Sequence, residues 1–222
     1  MDLAEVLTTN KHLEELNISD NPLGSDGIQQ FMCALSANQG LKKLYIQNCK
    51  ITSLSESFAE ALATNEHLEV LDISGNKLCD DGIQHLAYAV RINQILKKLS
   101  LRHCSLTSLG AKSLAEMLTI NKHLERLDIS DNELGNDGIQ YLGHALQVNQ
   151  QLKSLKLWGC NEITEFGFKY LVKYLQENHS LTDLEIPYQF QSTSLVDIEK
   201  TVNDIRSARM RNGLPLISVT FG

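Results

Sequence analysis

The stretch that decides the fold is "LDISDNELGNDGIQ", residues 127–140, which crowds carboxylate, amide and hydroxyl side chains around a short loop. Taken alone, so many oxygen atoms suggest a calcium site. Closely similar stretches stand earlier in the chain, "LNISDNPLGSDGIQ" at 16–29 and "LDISGNKLCDDGIQ" at 71–84. A loop that recurs at a nearly constant spacing indicates an internal repeat, and a repeat decides the architecture before any single site does.

Seven units align on a first leucine, and each opens with LxxLx(I/L), the strand segment of a leucine-rich repeat. The units begin at Leu13, Leu41, Leu68, Leu96, Leu124, Leu152 and Leu181. Apolar residues at helical spacing follow the strands. In one of these helices the predicted inward-facing residues are Leu109, Leu114, Ala115 and Leu118, and in the next they are Ile139, Leu142, Ala145 and Leu146. One strand and one helix per unit cannot bury enough apolar surface alone, so the stack of parallel strands is the stable object.

The ends of the predicted helices carry their own signals. Three Asp–Gly pairs are predicted N-caps: Asp26–Gly27, Asp81–Gly82 and Asp137–Gly138. Each helix runs out at an asparagine, which tolerates the left-handed conformation that often ends helices. These asparagines, predicted to end helices and not to bind ligands, are Asn10, Asn38, Asn65, Asn93, Asn121, Asn149 and Asn178.

Two regions differ from the repeats. Residues 1–188 are predicted to form a repeat domain of about seven units of 27–29 residues, and residues 189–222 a C-terminal cap of one helix and a short strand. The predicted apolar face of that helix holds Leu195, Ile198, Val202 and Ile205. At the other end the sequence starts within a repeat helix, which leaves the first strand uncapped. We therefore expect either a longer protein or an association through the uncapped N-terminal edge.

Composition narrows the classes of function. The formal net charge of −7, from 20 Lys plus Arg against 27 Asp plus Glu, argues against nucleic acid or an anionic membrane as a partner. The N-terminal sequence has no basic region followed by an apolar run, so no secretory signal is predicted. Five widely spaced cysteines do not suit a disulfide framework. Reduced thiols and a cytoplasmic location are expected.

The candidate chemical sites fail on spacing. Counted from Asp128, a calcium loop would need Gly at position 6 and Glu at position 12, where the chain has Glu133 and Ile139. His12, His67 and His123 share one frame but recur only in every second unit. Strands lie about 4.8 Å apart, so these histidines are too far from one another to share a zinc ion. No nucleotide-binding or catalytic motif is present. We therefore expect no metal, no cofactor and no enzymatic activity.

A second regularity overlies the first, because units with Asn at the turn after the strand alternate with units that have Cys there. These residues are Asn21, Asn76 and Asn132, and Cys49, Cys104 and Cys160. In this alternation the chain resembles the ribonuclease-inhibitor subfamily of leucine-rich repeats. The resemblance implies an α/β solenoid shaped like a horseshoe, with a parallel sheet on the concave face and helices on the convex face. It also implies that the alternating Asn and Cys side chains point inward, satisfy the turn backbone and are structural.

Side chains alternate along a strand, so the variable positions of LxxLxLxx point to the concave surface. Units of the Cys type place basic and aromatic residues there, and units of the Asn type place mostly Asp and Ser. The predicted partner-binding residues are Lys43, Tyr45, Lys98, Arg102, His103, Arg126, Asp128, Lys156, Trp158 and Tyr188. Trp158 is expected near Tyr188 and Arg126, and Trp, Tyr and Arg often dominate protein interfaces. In the opening stretch, Asp128, Ser130 and Asp131 alone are expected to be free for a partner.

In the family that the chain resembles, the concave face binds proteins. Acidic Asn-type units and the ending "RMRNGLPLISV" look like the C-terminal repeats of NOD-like receptors, intracellular sensors of innate immunity. We therefore expect a non-catalytic recognition module, the ligand-sensing or autoregulatory repeat region of such a receptor. One alternative is a cytosolic protein similar to ribonuclease inhibitor, although basic ligands would suit a more acidic concave face. The other alternative resembles the Ran-activating GTPase activators, whose acidic tail is missing here.

Overall fold

Helices and strands alternate throughout the part of the chain that the computed structural model describes, residues 3–187 and 195–221. The helices are α1 (Leu3–Thr9), α2 (Gly24–Ala37), α3 (Glu56–Thr64), α4 (Cys79–Ile92), α5 (Ser108–Ile120), α6 (Gly135–Val148), α7 (Glu165–Leu175) and α8 (Leu195–Arg211). The strands are β1 (Glu15–Asn17), β2 (Lys43–Tyr45), β3 (Val70–Asp72), β4 (Lys98–Ser100), β5 (Arg126–Asp128), β6 (Ser154–Lys156), β7 (Asp183–Ile186) and β8 (Ser218–Phe221). The predicted domain boundary at 188/189 lies outside the described residues.

The strands form one parallel sheet in sequence order, from β1 to β8. Its register places the second leucine of each repeat opposite the equivalent leucine of the next unit. This row of core residues is Leu16, Leu44, Leu71, Leu99, Leu127, Leu155 and Leu184, followed by Val219 in β8. The sheet and its flanking helices confirm the predicted leucine-rich-repeat solenoid.

A continuous apolar core fills the space between the sheet and the helices. Most of the predicted inward residues of α5 and α6 are buried in it. Leu109 was predicted to be buried, but that prediction was wrong, because 63% of the residue is exposed. It precedes Leu114 by five residues, which is about 140° around an α-helix, so it lies off the inward stripe.

The predicted N-caps were also wrong. Helices α2, α4 and α6 begin at Gly24, Cys79 and Gly135, so each Asp–Gly pair lies inside the first turn, and the residue before each helix makes no side-chain cap. At α5 the local cap, Thr107, is joined by a capping side chain from the preceding unit. Asp80 accepts hydrogen bonds from the backbone N–H groups of Thr107 and Gly110 at the start of α5, both at 2.9 Å. The N-terminus of one helix is therefore capped from the neighbouring unit.

The asparagines at the helix ends form a row that we call the asparagine ladder: Asn10, Asn38, Asn65, Asn93, Asn121, Asn149 and Asn178. The predicted left-handed conformation was wrong, because Asn121 has φ −65° and ψ 132°, which is extended backbone. Its side-chain amide donates to the carbonyls of Val90 (2.7 Å) and Asn93 (3.0 Å) in the preceding unit. Its carbonyl accepts from the N–H groups of His123 and Leu124. The ladder thus stitches each unit to the one before it.

Arg209 of α8 takes the place of the next rung of the ladder. The residue is completely buried, and its guanidinium donates to the carbonyls of Leu175 (3.3 Å), Leu181 (2.9 Å) and Pro215 (2.7 Å). Leu175 occupies in its unit the position that Leu146, the acceptor of Asn178, occupies one unit earlier. Burial lowers the pKa of Arg209, because the charged form loses water. Carbonyl oxygens replace that water, so Arg209 ends the stack with its polar groups satisfied.

Candidate functional site

The inner face, by which we mean the sheet surface turned away from the helices, carries most of the residues predicted from the sequence. Strands β2 to β7 bury their central leucine, and the residues on either side of it point to the inner face. Lys43, Lys98, Arg102, His103 and Arg126 are exposed there. The half-buried side chains of this face are those of Tyr45, Asp128, Lys156 and Trp158. Tyr188 lies outside the described residues, so its predicted place beside Trp158 stays a prediction.

Ion pairs between adjacent units neutralise most of the basic residues on the inner face and just before its strands. The pairs are Lys42–Glu14, Lys43–Glu15, Lys97–Glu69, Lys153–Glu125 and Lys156–Glu185, with N–O distances of 2.6 to 3.0 Å. The hydrogen bond from Lys153 lowers the pKa of Glu125, and the bond to Glu185 raises the pKa of Lys156. Because basic and acidic units alternate in the sequence, a base in one unit lies beside an acid in the next, and the two form cross-strand pairs.

Lys98 and Arg126 depart from this scheme. They lie directly opposite each other in the register of β4 and β5. On their other sides stand Val70 and Ser154, where a carboxylate would be needed to neutralise them. Neither residue forms an ion pair with any other residue of the described ranges. Two neighbouring cations therefore remain unneutralised at the centre of the sheet.

The strongest cluster of interface-type side chains centres on Trp158. The guanidinium of Arg102 lies over the indole ring, 4.6 Å from its centroid. The Nε atom of Arg102 also donates to Asp131 at 2.5 Å. The sequence suggested Arg126 as a neighbour of Trp158, but the cation on the ring is Arg102. Arg102 and Trp158 stand two units apart, with Asp131 on the strand-end turn between them.

A glycine makes this cluster geometrically feasible. Gly159 has φ +69°, and a Cβ atom built there would lie 1.9 Å from Oδ1 of Asp131. Any side chain at this position would displace the carboxylate that holds Arg102. Within the turns at the strand ends, His103 and Asp131 also have positive φ values, 53° and 54°. Both residues therefore adopt the left-handed conformation that non-glycine residues rarely take.

The repeat positions at the turns differ in their contacts. Asn76 is buried, donates to the carbonyls of Ile46 and Ile73, and accepts from the N–H groups of Cys49 and Ile51. The second buried asparagine of this type, Asn132, bonds in the same manner. Asn21 is exposed and bonds only to carbonyls within its own turn. The structural role of this set stays a prediction.

The cysteines of the turns are buried and free. Burial raises the pKa of Cys104 and of Cys160 to about 12, and it also raises the pKa of Cys49. These thiols are therefore protonated at neutral pH, and a protonated thiol is a poor nucleophile and a poor metal ligand. Among the described residues, no three His, Cys, Asp or Glu side chains are placed to hold a metal ion.

The opening stretch offers less free surface than its sequence suggested. Ser130 is 3% exposed, so the prediction that it is free for a partner was wrong. Asp131 is bound to Arg102, which corrects the same prediction for that carboxylate. Asp128 uses Oδ1 to accept the N–H of Ser130 at 3.1 Å and leaves the rest of its carboxylate on the inner face. Polar side chains of this turn are buried or bound within the protein, which the sequence alone does not show.

Two shallow grooves run along the inner face. One, of about 240 Å³, has Lys98, Arg126 and Tyr45 among its lining residues. The other, of about 360 Å³, is lined in part by Arg102 and His103. Both are open and elongated, which suits a segment of polypeptide better than an enclosed small molecule. In the ranges 3–187 and 195–221, no helix has the length and apolarity needed to cross a bilayer.

Comparison with known proteins identifies the repeats. The model of the family described as "Leucine Rich repeat" matches residues 9–32, 64–87, 93–115 and 121–143. The matched segments lie in the solenoid, and the chain is similar to leucine-rich-repeat proteins of the ribonuclease-inhibitor-like type. It is 38% identical over 91 residues to NACHT, LRR and PYD domains-containing protein 4C of Mus musculus, and 41% identical over 83 residues to the ribonuclease inhibitor of Sus scrofa.

The matched segments are short on both sides. The two matches cover 40% and 36% of this chain, but only 9% of the mouse relative and 18% of the pig relative. A solved structure of leiomodin-1, described as its actin-binding site 2, superposes with a TM-score of 0.61. The superposition covers 70% of this chain and 88% of the leiomodin-1 chain. At 21% identity this likeness concerns the fold alone.

Proposed function

We propose that the chain is a non-catalytic module that binds a protein partner on its inner face. The observation that carries this proposal is the Arg102–Trp158–Asp131 cluster. A half-buried tryptophan whose ring lies under an arginine, itself bound by a carboxylate, offers a rigid, amphipathic contact surface that loses little side-chain entropy on binding. Residues of these types contribute disproportionately to binding energy when a partner buries them.

The geometry favours a polypeptide partner over other ligands. The grooves are open, their walls mix both signs of charge, and the formal charge of −7 disfavours polyanions. Within the described residues, no buried nucleophile is activated, because the buried thiols have raised pKa values. A mixed-charge surface gives orientation and specificity to a protein contact more than raw affinity.

We further propose that this module is the ligand-sensing or autoregulatory repeat region of a NOD-like receptor in the cytoplasm. Identity with NACHT, LRR and PYD domains-containing proteins of mouse and human supports this proposal. The free cysteines suit a reducing compartment. Detection of the endogenous protein in a cytosolic fraction, with a nucleotide-binding domain in the same polypeptide, would support it. A secreted product, or a polypeptide without that domain, would contradict it.

The β1 edge is a second proposed contact. Within the described residues β1 pairs on one side only, with β2. Leu13, Leu16 and Ile18 nearby are half-buried, whereas the equivalent leucines of inner units are fully buried. Sedimentation at increasing protein concentration should show association that Leu16→Lys reduces and that the exposed change Lys122→Glu does not. A mass independent of concentration would refute this contact.

The test of the main proposal compares two faces of the molecule. The immobilised chain is used to capture proteins from a cytosolic extract, which are then quantified by mass spectrometry. We expect that Arg102→Ala and Trp158→Ala each weaken retention of the specific partner about tenfold or more. The control is Tyr141→Ala on α6, which removes an exposed aromatic side chain from the helical face. Full retention of every partner by both inner-face variants would place the binding surface elsewhere.

A further inference from the structure

The unneutralised pair Lys98 and Arg126 carries an inference about the chemistry of the partner. Five other basic residues, on this face or just before its strands, have a carboxylate from an adjacent unit within 3.0 Å. Arg102 has Asp131. Only Lys98 and Arg126, of the inner-face cations in the described ranges, face each other without one. Like charges directly opposite on a sheet are unfavourable, so an anion that bridges the two would relieve a repulsion present in the free protein.

The surroundings limit how much negative charge the pair can accept. Asp72 and Asp128 stand on the neighbouring strand positions, on either side of Ser100. Both carboxylates already accept hydrogen bonds, Asp72 from Gln47 and from the N–H of Ser74, and Asp128 from the N–H of Ser130. A strand of phosphates laid along the groove would meet these carboxylates. A single carboxylate between Lys98 and Arg126 would meet less of this negative charge, because Asp72 and Asp128 lie two residues further along the strands.

The groove beside the pair has room for the chain that would bring such a carboxylate. Its lining includes Tyr45 and Val70 as well as the two cations, so apolar surface lies next to the charge. A guanidinium binds a carboxylate through two parallel hydrogen bonds, and a lysine ammonium can bind either oxygen as well. The pair thus suits an Asp or Glu side chain that is flanked by apolar residues on an extended segment.

We propose that Lys98 and Arg126 bind an acidic side chain of the protein partner, and that this contact selects among partners. The inference rests on the proposed function, since it assigns one contact of the same inner face. The occupant is a segment of a second polypeptide with an Asp or Glu residue at its centre. Charge complementarity is the reason for this choice, because the other basic residues of this face already have carboxylate partners.

The test uses a display library of randomised linear peptides, selected on the full chain and counter-selected on Lys98→Glu/Arg126→Glu. Peptides that depend on the pair should be enriched in Asp or Glu flanked by apolar residues. Their affinity should fall about tenfold or more in the double variant. The control, Lys112→Glu/Lys122→Glu, makes the same change in net charge away from the inner face and should leave affinity unchanged. Replacing the selected acid by Lys should restore binding to the charge-reversed chain.

The outcomes separate this proposal from the one on which it rests. Peptides that lose affinity with Trp158→Ala but not with Lys98→Glu/Arg126→Glu would overturn the acidic contact and leave inner-face binding intact. Peptides that are insensitive to both variants would overturn both proposals. Selected peptides that lack acidic residues would overturn the acidic contact. Peptides that bind the charge-reversed chain equally well would overturn it too. So would displacement of the peptides by a single-stranded oligonucleotide, which would mark the pair as a phosphate site.

Discussion

The asparagine ladder and the inner face are both rows of polar side chains that run the length of the solenoid, yet they behave in opposite ways. The ladder repeats one residue type and one bonding pattern in successive units, and from Asn38 to Asn178 it is buried. The inner face changes residue type from unit to unit and stays solvated. A buried amide with four partners tolerates no change of shape, whereas a solvated side chain tolerates many. The difference separates the residues that hold the units together from those available to a partner.

The largest effect is expected from Asn121→Ala, which breaks the ladder at its centre. The change would leave the carbonyls of Val90 and Asn93 and the N–H groups of His123 and Leu124 without partners. Each unpaired buried group costs about 1–3 kcal/mol, so the free energy of unfolding should fall by roughly 3 kcal/mol or more. Urea denaturation followed by circular dichroism measures it. The exposed neighbour Gln94→Ala is the control, and an equal effect from both would contradict the role of the ladder.

A somewhat smaller effect is expected from Arg209→Leu at the end of the ladder. The substitution leaves three carbonyls unpaired, but it also removes the desolvation of a charge, so we expect a loss of about 2 kcal/mol. The loss should concentrate in β8, where the Ser218 N–H that bonds to Thr182 should exchange faster with deuterium. Arg211→Leu, an exposed change on the same helix, is the control. Unaltered exchange in β8 would show that Arg209 does not hold the last strand.

The inner face should respond in the opposite direction to Lys98→Glu. This change places an acid opposite Arg126 and replaces a repulsion by a cross-strand ion pair. The free energy of unfolding should rise by about 0.2–1 kcal/mol. The gain should shrink in 1 M salt, at which the Debye length is about 3 Å. Thermal unfolding at two salt concentrations measures it, with Lys112→Glu as the control. A loss of stability would mean that the pair is neutralised in the free protein.

The smallest expected effect concerns the pH response of the Glu125–Lys153 pair. The hydrogen bond from Lys153 lowers the pKa of Glu125. A lowered folded-state pKa contributes stability above the unfolded pKa, and that stability disappears as the pH falls through the folded pKa. Lys153→Gln should therefore raise the pKa of Glu125 towards its ordinary value and remove this part of the acid sensitivity. Titration of the Glu125 carboxyl carbon by NMR measures it, with Lys122→Gln as control. An unchanged pKa would contradict the pairing.

The solenoid was predictable because its signal is local and repeated. The leucine positions recur within every unit, and the unit lengths and the alternation of Asn76 with Cys104 recur from unit to unit. The asparagines of the ladder were predicted in the right places but with the wrong backbone conformation, and the helix caps were predicted at the wrong residues. Asp80 bonds to the next unit, and Asn121 divides its bonds between the preceding unit and its own. A sequence pattern within one unit does not show the bonds between units.

The candidate site was predictable only as a surface. Alternation along the strands identified Arg102 and Trp158 as inner-face residues, but it could not show that they contact each other across an intervening unit. Side chains two strands apart span about 10 Å, so contact depends on their length and on the turn geometry at Gly159. The Arg102–Asp131 bond joins positions that are not equivalent in their units, so the alignment of the repeats did not reveal it.

The central claim is that the inner face, and not the helical face, meets the partner. Photocrosslinking tests it most directly, with a photoreactive phenylalanine placed in turn at Tyr45 and Trp158 on the inner face and at Tyr88 and Tyr141 on the helices. The bound partner is the protein captured by the immobilised chain. We predict crosslinks from one or both inner-face positions and none from the helical positions. Crosslinks from Tyr88 or Tyr141 alone would contradict the claim.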